Sequence, residues 1–177
     1  MRIIAGKYRG KKLKEFELST TKPTLDRVKE SMFNLIQFDV LNAVVLDLFA
    51  GTGALGVEAV SRGAKKTIFI DQNKQAVKII KENLQGIKED AQVLNVDSIE
   101  FLKTTKEKFD IVLIDPPYKT ELGTQAIELI VERDLLNQNG IILFETADEK
   151  MFEFNYENYS VDRRKYGTVA VYKIVKN

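Results

Sequence analysis

The chain has 177 residues, 44% hydrophobic and 30% charged, with a net charge of +1, the makeup of one soluble domain able to bury a full core. It holds no cysteine and no histidine, which excludes a thiol nucleophile, an imidazole base, a disulfide framework and the usual zinc sites, and leaves chemistry to carboxylates, Lys, Tyr, hydroxyls, backbone carbonyls or a reactive cofactor. No run approaches the ~18 apolar residues of a membrane span, and the apolar stretch after Met1 is too short for a signal peptide, so a cytoplasmic protein with no membrane or metal partner is expected.

Charge is spread unevenly. Residues 1–29 carry nine Lys or Arg against three acids, and the remainder is net −5. The stretches 2–5 and 11–16 read as short strands joined by the turn-rich Gly6-Lys7-Tyr8-Arg9-Gly10, an N-terminal β-hairpin extension. Arg2, Lys7, Arg9, Lys11, Lys12 and Lys14 suit phosphate contacts, and Tyr8 suits stacking on an unpaired base. The bland alternative is a solvated basic hairpin. This arm precedes every cofactor motif, so it is expected to touch a polyanion and to take no part in cofactor binding. A loop over 20–24 follows, in which Thr24 caps a helix and Asp26 suits its first turn. Leu25, Val28, Met32, Leu35 and Ile36 then share one helix face, with an end near Phe38 and Asp39.

From Val44 to Gly56 an apolar β run passes into a Gly-spaced turn that opens a helix. The pattern Gly51-x-Gly53-x-x-Gly56 lets backbone amides approach a nucleotide at a helix N-terminus. Two nucleotide classes compete for it. A dinucleotide dehydrogenase wants an acid about 20 residues on for the ribose, and Asp71 meets that spacing. Against it stands Asp47, just before the turn, because a carboxylate beside a pyrophosphate repels it across a poorly screened gap. S-adenosylmethionine (SAM), with an ammonium, a sulfonium and no phosphate, suits Asp47 better.

Beyond the turn, helix and strand patterns alternate. Helices are predicted over 54–62, 73–85, from about Ser98, and over 121–133; strands over 43–48, 66–71, 91–96, 109–114 and 140–146. Such alternation with short links gives an α/β, mostly parallel doubly wound sheet. The runs 159–163 and 168–175 around Lys165-Tyr166-Gly167 read instead as a C-terminal antiparallel hairpin. Ligands in such sheets bind outside the carboxyl ends of the strands, and four predicted ends carry Asp47, Asp71, Asp97 and Asp115. Each alone could be a helix cap. Together they are expected to line a site: Asp71 with Gln72 at a ribose, Asp97 with Ser98 at an adenine, and Asp47 near an ammonium, with Phe49, Ala50, Gly51, Thr52 and Gly53 forming the cradle.

The fourth end reads Asp115-Pro116-Pro117-Tyr118. Each proline fixes its own φ and holds the residue before it extended. The Asp115 carboxylate and Pro116 carbonyl thus become rigid acceptors for an exocyclic –NH₂, and Tyr118 offers a face for a base.

These residues resemble a known family. Asp115-Pro116-Pro117-Tyr118 is similar to the catalytic motif of SAM-dependent amino-methyltransferases, and DLFAGTG (47–53) to their cofactor loop. MRIIAGKYRGKKL (1–13), KPTLDRVKE (22–30) and LGVEAVSRGA (55–64) further resemble the RsmD family, with one departure at Asp71, where Glu is expected in many relatives. The resemblance implies a Rossmann-like methyltransferase fold in one domain over 1–177, with a basic hairpin and helix over 1–39 and the catalytic core over 40–177. It also implies methylation of a guanine N2 amino group in 16S ribosomal RNA or the assembling small subunit. Arg2, Lys7, Tyr8, Arg9, Lys11, Lys12 and Arg27 are then expected at the RNA, and a monomer is expected. DNA adenine-N6 and protein-glutamine methyltransferases use much the same strand-four motif, and a non-catalytic RNA-binding protein with a vestigial nucleotide fold is a rival of another class.

Overall fold

Alternate residues of a strand face opposite sides of its sheet, and that period of two sorts this core into layers. The computed structural model describes residues 1–17, 23–147 and 152–177, so the expected loop over 20–22 lies outside the described residues. The elements are α1 (Pro23–Leu35), β1 (Val44–Leu48), α2 (Ala54–Ser61), β2 (Lys66–Ile70), α3 (Lys74–Asn83), β3 (Asp90–Leu94), α4 (Ser98–Thr104), β4 (Phe109–Ile114), α5 (Leu122–Glu132), β5 (Leu136–Ala147), β6 (Tyr159–Tyr166) and β7 (Val169–Lys176). Seven strands form one sheet in the order β3-β2-β1-β4-β5-β7-β6. The first five are parallel, and β7 runs antiparallel to both β5 and β6. This is the α/β methyltransferase architecture expected.

Leu46, Leu48, Val112, Ile114, Ile142 and Phe144 point to the side covered by Leu102 of α4 and by Ala126, Ile127 and Ile130 of α5. Their sequence neighbours Val45, Ile111, Leu113, Ile141 and Leu143 meet Val28, Met32, Phe33 and Ile36 from the α1 segment and Ala59 of α2. Each fully buried Leu, Ile or Phe side chain contributes roughly 1.5–3 kcal/mol. Chain order reverses at β1, whose neighbours are β2 on one side and β4 on the other. The crevice that such a reversal opens lies above the carboxyl ends of β1 and β4.

Several boundaries move. The first helix starts at Pro23, whose fixed φ suits a first helical position, so Thr24 lies inside the helix rather than capping it. It stops at Leu35 and continues as tight turns, Ile36 N–H to Phe33 carbonyl and Asp39 N–H to Ile36 carbonyl. β5 begins four residues before its predicted start, with an irregularity opposite Phe109 and Ile111, and Gly140 passes so close to the Asn137 carbonyl that a Cβ there would lie 2.7 Å from it. The C-terminal hairpin turns on Gly167 and Thr168, one residue later than expected, with Gly167 at φ 63°.

The arm is a narrower hairpin than predicted. Its only ladder pairing among the described residues is the bridge between Arg2 and Lys12, supported by Ile3 N–H to Lys11 carbonyl and Leu13 N–H to Met1 carbonyl. What fastens it is the polar side of α2. Glu58, fully buried, accepts the Ile4 and Ala5 amides at 2.8 and 3.1 Å, the Arg62 Nε at 3.0 Å, and pairs with the Lys29 ammonium of α1 at 3.3 Å. Ser61 adds a hydroxyl bond to the Ala5 carbonyl and accepts the Tyr8 amide. Gly6 runs so close to the Ser61 carbonyl that no side chain fits, at a φ of 89°.

Removing one member of a buried ion pair strands the other charge. Glu58→Ala, which abandons Lys29 and two amides, should therefore lower stability by about 3–5 kcal/mol. Urea unfolding of the variant checks this, and a loss under 1 kcal/mol (about one ordinary hydrogen bond) contradicts the assignment.

Candidate active site

The turn after β1 is held in shape from four sides. Phe49 adopts a left-handed φ of 54°, rare for an aromatic residue, and Gly51 and Gly53 follow at 58° and 80°. Ser98 Oγ accepts the Phe49 amide at 3.3 Å, the Ile70 carbonyl accepts the Ala50 amide at 2.9 Å, and Asn83 Nδ2 donates to the Thr52 carbonyl at 2.9 Å. Asp71 Oδ2 accepts the Gly51 amide at 2.8 Å, while its Oδ1 accepts the Asn73 amide at 2.8 Å. The Gly53 amide turns back to the Ala50 carbonyl. The structure thus corrects one expectation: the amides of Gly51 and Gly53 brace the turn itself, and Asp71 is part of that brace as well as of the cavity wall.

Asp47 is buried beneath the turn. Its Oδ2 accepts the Gly56 amide at 2.9 Å in the first turn of α2. Gly56 cannot carry a side chain, since a Cβ would sit 2.3 Å from the Phe69 ring and 2.9 Å from that carboxylate oxygen. Burial pushes the Asp47 carboxyl well above the usual carboxylate range, against the pull of the Gly56 N–H. Asp97 caps α4 by accepting the Glu100 amide at 2.9 Å, so the capping role weighed for these acids is real here too.

Above these residues opens a cavity of about 530 Å³, lined among others by Asp47, Phe49, Ala50, Gly51, Thr52, Asp71, Gln72, Asp97, Ser98, Asp115, Pro116, Pro117 and Tyr118. Each of the sequence-predicted cofactor and catalytic residues except Gly53 lines it; Gly53 is buried under the turn, where a Cβ would press on Ile80. Asp115 stands exposed at the cavity, and partial loss of hydration between its walls raises the carboxyl to about 6. Tyr118 is 60% exposed, its ring available at the mouth.

Two groups of lining residues were missed. One is Glu145, next to the end of β5, only 7% exposed, whose carboxyl is held up to about 8 by burial first and then by the Asp115 charge. An acid closing the apolar run 141–144 is the same signal that marked Asp47 and Asp115, and it would have found Glu145. The other group is Met1, Phe16, Val28, Lys29 and Met32, of which Met1 alone belongs to the basic arm over 1–14. Lys29, 3% exposed, has its ammonium pKa lowered by burial, with Glu58 opposing.

The arm's cations divide. Lys7 pairs with Glu89 at 2.9 Å, Lys14 pairs with Glu82, and Lys11 donates to the Gln85 carbonyl. Tyr8 donates its hydroxyl to Glu89 at 2.7 Å and packs against the cluster of Ile3, Leu13 and Val57, which redirects it from base stacking to holding the arm on the loop before β3. Arg2, Arg9, Lys12 and Arg27 stand exposed.

Residues 1–175 match the family described as Conserved hypothetical protein 95. The chain is similar to Ribosomal RNA small subunit methyltransferase D of Haemophilus influenzae, 39% identical over 182 residues spanning 100% of this chain and 94% of the relative. To the Escherichia coli protein of the same name it is 33% identical over 175 residues, 98% of this chain and 88% of that one. It also superposes on the solved structure of Escherichia coli yhhF with a TM-score of 0.90 at 30% identity, covering 100% of this chain and 98% of the other.

A raised carboxyl pKa makes stability depend on pH. Glu145 titrates near 4.5 when unfolded and near 8 when folded, so the unfolded chain holds fewer protons across that window. Its contribution is present in full below 4.5 and is lost as pH rises towards about 8. Asp115 acts in the same direction up to about 6. Glu145→Gln, with no proton to lose, should flatten the fall in urea midpoint between about pH 5 and pH 8; a wild-type slope in the variant contradicts the linkage.

Proposed function

This chain belongs to the RsmD family, and from that premise we propose that it transfers a methyl group from SAM to the N2 amino group of a guanine in 16S ribosomal RNA. The observation that carries the reading is the placement of Asp115-Pro116-Pro117-Tyr118 at the end of β4, across one cavity from the braced turn after β1.

The cavity fits the cofactor. Its volume of about 530 Å³ falls within the roughly 300–1,000 Å³ of small-molecule sites. Asp47, Asp71, Asp97 and Asp115 line it, and among the described lining side chains the cationic one is Lys29, itself paired with Glu58. That excess of carboxyls disfavours a pyrophosphate and suits a ligand with an ammonium and a sulfonium. Asp71 and Asp97 would hold its ribose and adenine, and Asp47 its ammonium end. When bound, SAM supplies an electrophilic methyl group.

The chain's own residues position the nucleophile. Tyr118 takes the face of a guanine splayed from its RNA. The Asp115 carboxylate and Pro116 carbonyl accept the two N2 protons, which turns the nitrogen lone pair towards the braced turn. Most of the rate comes from this positioning. Asp115, ionised above about 6, also accepts the proton that the methylated nitrogen sheds. Arg2, Arg9, Lys12 and Arg27 contact RNA phosphates.

The direct test is transfer of tritium from labelled SAM to small-subunit RNA, followed by nucleoside analysis; N2-methylguanosine is expected, and N6-methyladenosine or no label overturns the reading. Asp115→Asn should keep SAM binding by calorimetry while turnover drops by about 10²–10⁴-fold. Wild-type turnover should fall as pH drops below about 6, because a protonated Asp115 donates where an acceptor is needed.

The exposed cations make a separate prediction. Replacing Arg2, Arg9, Lys12 and Arg27 with Ala should weaken RNA binding and reduce the slope of log affinity against log salt by about 0.7–0.9 per lost phosphate contact. SAM affinity should stay put, since none of these four lines the cavity. An unchanged salt slope would return the arm to a purely structural role.

A further inference from the structure

Among the described residues, the two buried acids besides Glu145, namely Glu58 and Asp47, are both partnered. Glu58 collects four donors and Asp47 holds the Gly56 amide. Glu145, only 7% exposed, makes no hydrogen bond or ion pair among the described residues. Its carboxyl oxygens are not sealed from solvent, so the acid's donor and acceptor open into the ligand cavity whose wall it forms.

Its position is set by strand register. Ile114 pairs with Phe144, so the next step along both strands brings Asp115 beside Glu145, on neighbouring strands about 4.8 Å apart. Glu145 shares the sheet face of Ile141 and Leu143, as Asp115 shares that of Ile111 and Leu113. It also borders a second cavity of about 260 Å³, which meets the first at Pro116, Pro117, Tyr118 and Glu145. A base stacked on Tyr118 with its amine on Asp115 and Pro116 therefore has Glu145 as a neighbour.

We propose that Glu145 is a specificity-determining residue that reads the N1–H and O6 edge of the target guanine. The inference rests on the guanine-N2 reading above. In guanine the ring nitrogen beside C2 carries a proton, and O6 lies next to it. A carboxylic acid presents a carbonyl acceptor and an O–H donor side by side, which matches that donor–acceptor pair. Burial and the neighbouring Asp115 charge keep Glu145 protonated at neutral pH, leaving Asp115 as the anionic acceptor. An adenine with its amine in the same place offers a bare N1 and then a C–H, so it loses the pair. Guanine thus engages both groups of the acid, and adenine does not.

The test uses the full chain and an RNA fragment carrying the methylated guanosine, located first by mapping the wild-type product. A second fragment replaces that guanosine with 2-aminopurine riboside, which keeps the N2 amine but lacks both N1–H and O6. Wild-type kcat/KM should favour guanine by about 10²-fold, the scale of one bidentate base contact. Glu145→Gln should keep that preference within about fivefold, because an amide offers the same acceptor and donor. Glu145→Leu and Glu145→Met, which offer neither, should cut the preference at least about tenfold while SAM affinity by calorimetry stays within about threefold. Differences in intrinsic amine reactivity cancel when variants are compared on the same two RNAs. Replacing an unpaired buried acid by an apolar group is neutral or stabilising, and either apolar variant suffices.

Retained wild-type preference in an apolar variant overturns the proposal. So does a Glu145→Gln preference as low as theirs, which would point to the carboxyl's charge instead. If the wild-type product is not N2-methylguanosine, the underlying reading falls and takes this one with it, and that shows in the wild-type arm before any variant is made.

Discussion

The Glu58 carboxylate is the point at which three separate parts of the chain are fastened. Burying such a charge costs several kcal/mol unless its lone pairs are all engaged, and here two arm amides, the Arg62 guanidinium and the Lys29 ammonium engage them. The same helix that carries Glu58 in its middle carries the braced turn at its N-terminus. The arm and α1 are thus set against the fixed end of α2, and Met1, Phe16, Val28, Lys29 and Met32 come to lie along the cavity. A buried polar network of this kind is unforgiving, because each member left unpaired is penalised in a low-dielectric interior. It also gives one arrangement in place of many.

The cavity itself concentrates acidic groups. Asp47, Asp115 and Glu145 stand on one face of adjacent strands because residue parity and parallel register put them there. Burial first and the Asp115 charge second push up the carboxyls of Asp47 and Glu145, and partial loss of hydration raises that of Asp115. A fold selected for stability alone would replace them with apolar residues, which marks this rim as the candidate site. Phe49, held left-handed at φ 54°, belongs to the same class of feature. Charge and backbone strain therefore point to one rim of one sheet.

Much of this was legible beforehand. Apolar runs of five or six residues ended by an acid, separated by helical periodicity, located four strand ends and the cavity above them, since strand and helix periods depend only on local chain geometry. The double proline announced a rigid pair of acceptors for the same reason. Glu145 carried the signal too, at the end of the apolar run 141–144, but its importance lies in standing beside Asp115, and adjacency between strands 30 residues apart is a property of register.

The basic arm shows the same division from the other side. Its charge and its hairpin turn are written in residues 1–14, and an attraction towards polyanions follows from that charge by Coulomb's law. Which cations remain for that contact was decided by packing: Lys7, Lys11 and Lys14 are drawn to Glu89, the Gln85 carbonyl and Glu82, while Arg2, Arg9, Lys12 and Arg27 are left in solvent. Tyr8 went the same way, to Glu89. The sequence by itself determined the elements, their order and the chemistry available at the strand ends, because those rest on local geometry and residue type. Only the tertiary structure decided which side chains are spent on one another and which stay available to a ligand, because hydrogen bonds and ion pairs are made with whatever the fold brings within about 3 Å.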